Sequence, residues 1–134
     1  MVNNTHFLRR VLAIDSIGTG LLALGAVIAA GPLSDVTGIP AQWLTIVGLA
    51  LLPFAAWVGW LARQSSPPRK LVWSLIVAND VWIAASFVVA FSDLLPLTTL
   101  GIEFMIVQAL LTAVIATMEF VAIRRVANNA QSFA

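Results

Sequence analysis

Polar and charged residues are confined to a few short segments of this chain, and two long apolar stretches lie between them. The basic residues stand at three places, namely Arg9 with Arg10, the segment 63–70, and Arg124 with Arg125. Each apolar stretch between them is about fifty residues long, which accommodates two bilayer-crossing helices of about 20 residues and a short turn. The pattern therefore predicts four transmembrane helices.

Turn-forming residues divide each apolar stretch and set the predicted boundaries. The predicted helices cover residues 8–30, 41–62, 71–91 and 98–123, with turns at 33–40 and 92–96 and a proline-rich loop at 63–70. Pro53 removes one backbone hydrogen bond from the second helix and predicts a kink there. The tail after Arg125 is mostly small and polar, and we expect it to fray.

Short connections make consecutive helices antiparallel neighbours. We therefore expect an all-α, up-down-up-down four-helix bundle that forms a single domain over residues 1–134, with the first and fourth helices also in contact. Lys and Arg are retained on the cytoplasmic side of membrane proteins. Since the basic residues lie at both ends of the chain and in the middle loop, both termini are expected in the cytoplasm.

Composition agrees with a membrane protein and removes several function classes. The chain is 60% hydrophobic and 10% charged, with a mean hydropathy of +0.98, whereas soluble domains are about 45–50% apolar and 25% charged. Cysteine is absent, which excludes disulfides, thiol redox chemistry and thiolate metal sites. The basic pairs are explained by membrane topology, so no nucleic-acid binding is expected.

The chain also lacks the usual constellations of catalytic residues. Its one histidine, His6, lies outside the predicted helices, so a haem ligand pair, a di-iron motif and a nucleophile–His–acid set are not available within them. No phosphate-binding or dinucleotide-binding glycine motif occurs. We therefore expect a non-enzymatic protein without a metal or cofactor.

Several polar or aromatic residues nevertheless lie within the apolar helices. These candidate site residues are Asp15, Asn79, Asp80, Trp82, Ser86, Gln108 and Glu119. On the third helix, Asn79, Trp82 and Ser86 are spaced i, i+3 and i+7, which places them on one face. Asp80 is not part of this spacing. On the fourth, Gln108, Thr112 and Glu119 form a single polar stripe at i, i+4 and i+11.

The acids of the first and fourth helices are predicted to face each other. Asp15 lies on a face that also carries Gly18 and Gly25, and helices pack closely through such small residues, so Asp15 is expected to point at a neighbouring helix. At about 1.5 Å per residue from the basic pairs, Asp15 and Glu119 both lie roughly 7–8 Å inside the membrane. A carboxylate in lipid without a counter-ion is costly and tends to take up a proton. With Asn79 beside them, the two acids predict a protonatable or cation-binding site.

The same residues also have a structural interpretation. Arginines of the basic pairs have long stems that can reach inward and neutralise Asp15 and Glu119. Asp80 lies near mid-membrane and needs a partner or a proton under either interpretation. Trp82 is either core packing or one wall of a ligand pocket.

A set of short motifs runs through nearly the whole chain. In order, they are Arg9-Arg10, Asp15, Gly18, Leu52-Pro53-Phe54, Asn79, Trp82, Ser86, Gln108-Ala109, Glu119 and Arg124-Arg125. Together they resemble a bacterial family of small four-helix integral membrane proteins with no assigned activity. The resemblance implies the four-helix topology and a bacterial inner membrane, and it implies no function.

These patterns leave three functional hypotheses. The leading one is an accessory or interaction subunit of a membrane assembly, which would contact partners helix to helix because its loops are short. The second is a small proton- or cation-coupled transporter that uses Asp15 and Glu119. The third is a binder of a lipid-like ligand such as a quinone near Trp82. The expected partners are the lipid bilayer and either further copies of this chain or other membrane proteins.

Overall fold

In this computed structural model, which describes residues 2–132 and the side chains of residues 5–129, the chain forms five helices and no strand. They are α1 (Val2–Ile28), α2 (Ala30–Thr37), α3 (Ala41–Arg63), α4 (Arg69–Phe91) and α5 (Thr99–Ser132). By length and composition, α1, α3, α4 and α5 can each cross a membrane. The prediction of an all-α chain with four apolar helices of membrane-spanning length is confirmed.

The segment predicted as a turn at 33–40 is helical over most of its length. The chain breaks helical conformation only around Ala29 and then enters α2. Pro32 lies in the first turn of α2, where its missing amide hydrogen interrupts no helical hydrogen bond. Gly38 ends α2 in the left-handed conformation with φ of 77°, and its amide donates to the Ser34 carbonyl at 2.9 Å. The residues that indicated a turn therefore begin and cap a short helix.

Two other boundaries differ from the prediction. α1 begins at Val2, and α5 continues to Ser132, so the tail expected to fray is helical as far as it is described. Residues 133–134 lie outside the described residues. α3 remains helical on both sides of Pro53, because neighbouring helix packing supports a transmembrane helix that has lost one hydrogen bond.

Helices that are consecutive in the sequence are not always packed against each other. α1 packs most extensively against α3 and also contacts α5, as expected for the first and fourth membrane helices, while α4 packs mainly against α5. The backbones of α3 and α4 scarcely approach one another, although a short loop joins these helices. Leu51 and Phe54 on α3 and Trp82 on α4 are large side chains on the two sides of this α3–α4 seam.

The ends that carry the basic residues come together, and we call this region the basic end. The Arg9 Nε atom donates to the Ala62 carbonyl at 3.0 Å, and the Arg125 guanidinium lies over the Phe7 ring at 5.4 Å. Next to these contacts, a closed hydrophobic cluster joins all four long helices. Its buried members are Leu8, Leu12, Val58, Leu61, Val72, Leu75, Ile76, Ala122 and Ile123. This cluster seals the bundle at the basic end.

At the opposite end, Thr98 ties the start of α5 to the end of α2. Its Oγ1 atom accepts a hydrogen bond from the Gly101 amide at 3.0 Å, which caps α5, and donates to the Val36 carbonyl at 2.6 Å. Its amide also donates to the Thr37 carbonyl at 3.0 Å. Gly101 lies so close to that carbonyl that a Cβ atom would overlap it. α2 is therefore a docking element for α5.

This close approach predicts that Gly101→Ala lowers the free energy of unfolding by about 2 kcal/mol or more, because the added methyl group must displace backbone. Gly31→Ala is the matched control, since a Cβ atom there meets nothing within 4 Å. It is expected to be neutral or stabilising by up to about 1 kcal/mol through helix propensity. Thermal unfolding in mild detergent measures both variants, and equal stability would contradict the tight α2–α5 contact.

Candidate functional site

An asparagine bridges two acids inside the bundle. The Nδ2 atom of Asn79 on α4 donates to Oδ2 of Asp15 on α1 at 3.4 Å and to Oε2 of Glu119 on α5 at 3.0 Å. All three side chains are buried, and Glu119 is 0% exposed. We call these three residues the carboxyl–amide cluster; the sequence predicted the two acids at matching depth, with Asn79 as their neighbour.

Helical spacing explains why these polar groups lie inside. Asp15 follows the buried Leu12 by three residues and therefore shares its face of α1. Asn79 follows Leu75 by four residues, and Glu119 precedes Ile123 by four. Leu12, Leu75 and Ile123 belong to the hydrophobic cluster at the basic end. The carboxyl–amide cluster is thus the next layer of the same core, one helical turn further from the basic end.

The arginines nearest to this cluster are engaged elsewhere. Arg9 donates to the Ala62 carbonyl, and the guanidinium groups of Arg124 and Arg125 lie over phenylalanine rings. The Oε1 atom of Glu119 is buried and has no hydrogen-bond partner among the described side chains. These contacts do not supply the cation that the structural interpretation of the acids requires. Since no ion pair of the described side chains neutralises the cluster, bound protons or a ligand are the groups left to do so.

A second polar cluster joins α4 to α5 further from the basic end. Trp82 donates from its indole nitrogen to Gln108 Oε1 at 2.7 Å, and Gln108 Nε2 donates to Ser86 Oγ at 2.8 Å and to the Met105 carbonyl at 2.9 Å. The Ser86 hydroxyl donates in turn to the Trp82 carbonyl at 2.7 Å. Both the oxygen and the nitrogen of the Gln108 amide therefore have hydrogen-bond partners. This indole–amide cluster (Trp82, Ser86 and Gln108) fixes the indole ring and has the closed bonding of a structural network.

Asp80 joins neither cluster, although the sequence grouped it with them. It is exposed at the centre of α4, because it is turned about 100° around the helix from Asn79. Gly18 is also exposed, and a Cβ atom there would meet nothing within 4 Å. The prediction that Gly18 shares a packed face with Asp15 is wrong, because the neighbours of Asp15 lie on the side of α1 that it shares with Leu12, and Gly18 lies off that side.

Two adjoining cavities lie beside these clusters. The polar cavity has a volume of about 350 Å³, and its lining includes Asp15, Thr19, Asn79 and Thr112. The apolar cavity has a volume of about 420 Å³ and is lined almost entirely by hydrophobic side chains from all five helices. Both are lined by Leu22, Val47, Leu51 and Trp82. The Trp82 ring thus packs against α5 with its nitrogen bonded and forms a wall of both cavities.

Sequence reasoning missed the cavities and one polar residue that belongs with Asp15. Thr19 donates from Oγ1 to Asp15 Oδ1 at 3.2 Å. Its position one helical turn after Asp15 could have identified it, since i and i+4 side chains meet on a helix. The apolar lining carries no such signal, because its leucines, valines and alanines look the same in the sequence as residues that face lipid.

The chain matches no protein-family model, no curated protein and no solved structure. The resemblance to a bacterial family of four-helix membrane proteins therefore has the support of the four apolar helices alone, and neither the family nor a bacterial origin is shown. Function has to be inferred from the geometry of the two clusters and the cavities beside them.

The bridging role of Asn79 predicts that Asn79→Leu lowers the free energy of unfolding by about 1–3 kcal/mol, because two buried carboxyl groups lose their shared donor. Adding Asp15→Leu and Glu119→Met to this variant is expected to restore stability, since a fully apolar replacement leaves no unsatisfied group.

Thr117→Val is the matched control for the loss of a polar group, because this exposed hydroxyl bonds only within its own helix, to the Ala113 carbonyl. Its stability is expected to stay within about 0.5 kcal/mol of the parent protein. Thermal unfolding in one detergent measures all variants. A triple variant less stable than Asn79→Leu alone would show that the acids stabilise the bundle without the amide.

Proposed function

We propose that this protein is a non-enzymatic membrane protein that binds an amphipathic, lipid-like molecule among α1, α3, α4 and α5. The observation that carries the proposal is the pair of adjoining cavities that share Trp82 as a wall and have volumes of about 420 and 350 Å³. The lining of the second, which we call polar, is also mostly apolar, but it includes the polar side chains of Asp15, Thr19, Asn79 and Thr112. Ligand sites typically have volumes of about 300–1,000 Å³ and are mostly apolar with a few convergent polar groups. An apolar chain fits the first cavity, and a small head group fits the second.

The polar cavity favours a head group that donates hydrogen bonds. Both amide hydrogens of Asn79 are directed at acids, and the hydroxyl hydrogens of Thr19 and Thr112 are directed at Asp15 and the Gln108 carbonyl. With the carboxyl groups ionised, the groups left for a ligand are oxygen acceptors, chiefly the Asp15 carboxylate. A hydroxyl or amine head group therefore complements this cavity better than the carbonyl oxygens of a quinone do.

The α3–α4 seam supports entry of such a molecule from the bilayer. The basic end is sealed by the hydrophobic cluster of four helices, and α2 packs on α5 at the other end. Between these ends, the α3 and α4 backbones scarcely approach one another. A lipid-like molecule that moves laterally through the seam would reach Leu51 and Trp82 without crossing water.

A brominated long-chain primary alcohol is a suitable probe, because bromine quenches indole fluorescence and Trp43 and Trp82 line the apolar cavity. We expect saturable quenching that Gly25→Leu weakens by about tenfold or more, since the new side chain fills cavity space worth several methylene contacts. Gly18→Leu is the matched control, because both glycines are open, and only Gly25 lines the cavity. Equal quenching in the two variants would mean that the alcohol only partitions into the detergent or bilayer and does not bind the cavity.

The head-group assignment has a separate test with Asp15→Asn. This change keeps the side-chain shape and removes the carboxylate, so a long-chain amine is expected to lose more affinity than the alcohol of equal length. The same quenching titration measures both probes. An unchanged ratio of the two affinities would place the head group away from Asp15.

We further propose that the four membrane helices run up-down-up-down in a bacterial inner membrane, with the basic end and both termini in the cytoplasm. The contacts of Arg9 and Arg125 bring the basic residues of different helices together at one end of the bundle. This supports the orientation, because Lys and Arg are retained on the cytoplasmic side of a membrane.

This orientation can be tested cleanly because the chain has no cysteine. Single-cysteine variants at two exposed loop positions, Asp93→Cys and Ser66→Cys, form a matched pair. In intact cells, a membrane-impermeant maleimide is expected to label the first and not the second until the cells are opened. The reverse labelling would invert the proposed topology.

A proton- or cation-coupled transporter is a second candidate, favoured by the buried, unpartnered Oε1 atom of Glu119. The hydrophobic cluster between Glu119 and the basic end offers no polar path to that side, so ligand binding has the stronger support. A third candidate, an accessory subunit of a membrane assembly, is favoured by the position of Asp80.

A further inference from the structure

Asp80 is the one acid that is both exposed and central in a membrane helix among the residues that the structure describes. It is the middle residue of α4 (Arg69–Phe91), so about 16 Å of helix separates it from either end. The other exposed acids are Asp35, Asp93 and Glu103, which lie in α2, in the loop before α5 and in the first turns of α5. Those three are near water in the proposed topology, and Asp80 is not.

No group in the described part of the chain bonds to the Asp80 carboxylate. Among the side chains of residues 5–129, it has no hydrogen bond and no ion pair. It also does not line either of the two cavities. Two residues separate it from Trp82, which places it about 160° around the α4 axis from the cavity wall. Its carboxylate therefore faces the surroundings of the bundle.

A bare carboxylate facing lipid is unfavourable by about 3 kcal/mol even on insertion-derived scales, and membrane acids therefore nearly always face protein or a water-filled space. The residues around Asp80 suit a protein contact. We call them the α4 outer face, an exposed strip of small and β-branched side chains consisting of Val77, Asp80, Val81, Ala84 and Val88. Such strips allow close helix packing in membranes.

We propose that the α4 outer face binds a transmembrane helix of a different protein, and that this helix carries a Lys or Arg side chain at mid-membrane depth opposite Asp80. Charge complementarity selects this partner over a second copy of the chain. All seven basic residues of the chain lie within about two helical turns of the ends of its membrane-spanning segments, so a second copy has no cation to place at the depth of Asp80. The proposal is independent of ligand binding and gives the accessory role a defined surface.

The probe is a synthetic polyleucine transmembrane helix with one central Lys, and its matched control has Leu at that position. The protein is labelled through Ser66→Cys, reconstituted into neutral phosphatidylcholine vesicles, and titrated by energy transfer to the labelled helix. We expect the Lys helix to associate about tenfold more tightly than the Leu helix, as one interhelical hydrogen bond or ion pair of about 1.4 kcal/mol would give. Asp80→Asn should remove this preference, and Asp80→Glu should keep it.

Three outcomes would overturn the proposal. They are an equal affinity for the two helices, a preference that survives Asp80→Asn, and energy transfer between two differently labelled copies of the chain that Asp80→Asn abolishes. The last would assign the face to a second copy. Misfolding is excluded as a cause if Asp80→Asn keeps the melting temperature of the parent protein. The saturable quenching by the brominated alcohol should also be unchanged in Asp80→Asn, which separates failure of this proposal from failure of the ligand site.

Discussion

The fold depends on how polar groups are satisfied where water is absent. One amide, that of Asn79, donates to acids on two other helices, and so connects α1, α4 and α5 at one depth. Hydrophobic burial cannot select helix partners in lipid, because a lipid tail is as apolar as a leucine side chain. Shared hydrogen bonds and close packing of small residues have to do so. The carboxyl–amide cluster therefore sets the register and the neighbours of three helices together.

The interior is layered along the bundle axis, and each layer has a different physical character. The hydrophobic cluster at the basic end is closed and contains side chains of all four long helices. The carboxyl–amide cluster follows it and holds a buried oxygen without a partner. Beyond these come the cavities, the fully bonded indole–amide cluster and the α2–α5 cap. Closed layers on either side keep the middle of the bundle from collapsing, and this is what makes a ligand site possible there.

Two acids within the membrane helices, Glu119 and Asp80, differ in what surrounds them. Glu119 is fully buried and receives a hydrogen bond from Asn79, whereas Asp80 is exposed and receives none. A carboxyl group inside the bundle can be neutralised by a bound proton or by a ligand in the adjoining cavity. A polar group on the outside can only be satisfied by another molecule. The proposed ligand site and the proposed partner surface therefore lie on different faces of α4.

Much of the fold followed from the sequence. The spacing of basic and apolar residues was sufficient for four membrane helices, since the length of a crossing is set by the bilayer. The i, i+3 and i+4 spacings also identified Asn79, Trp82 and Ser86 as one face and Gln108 with Glu119 as another, because helical periodicity is a local property. The tertiary structure decided the rest.

Local rules could not show that the backbones of α3 and α4 stay apart, or that α2 forms a helix that docks on α5. They also placed Gly18 on a packed face and Asp80 within the site, because spacing along one helix does not reveal which side its neighbours occupy. Which side of a helix is packed depends on which helices approach it. In this fold, the Asn79 bridge and the close contact at Gly101 determine these approaches, and both join residues that are distant in the sequence.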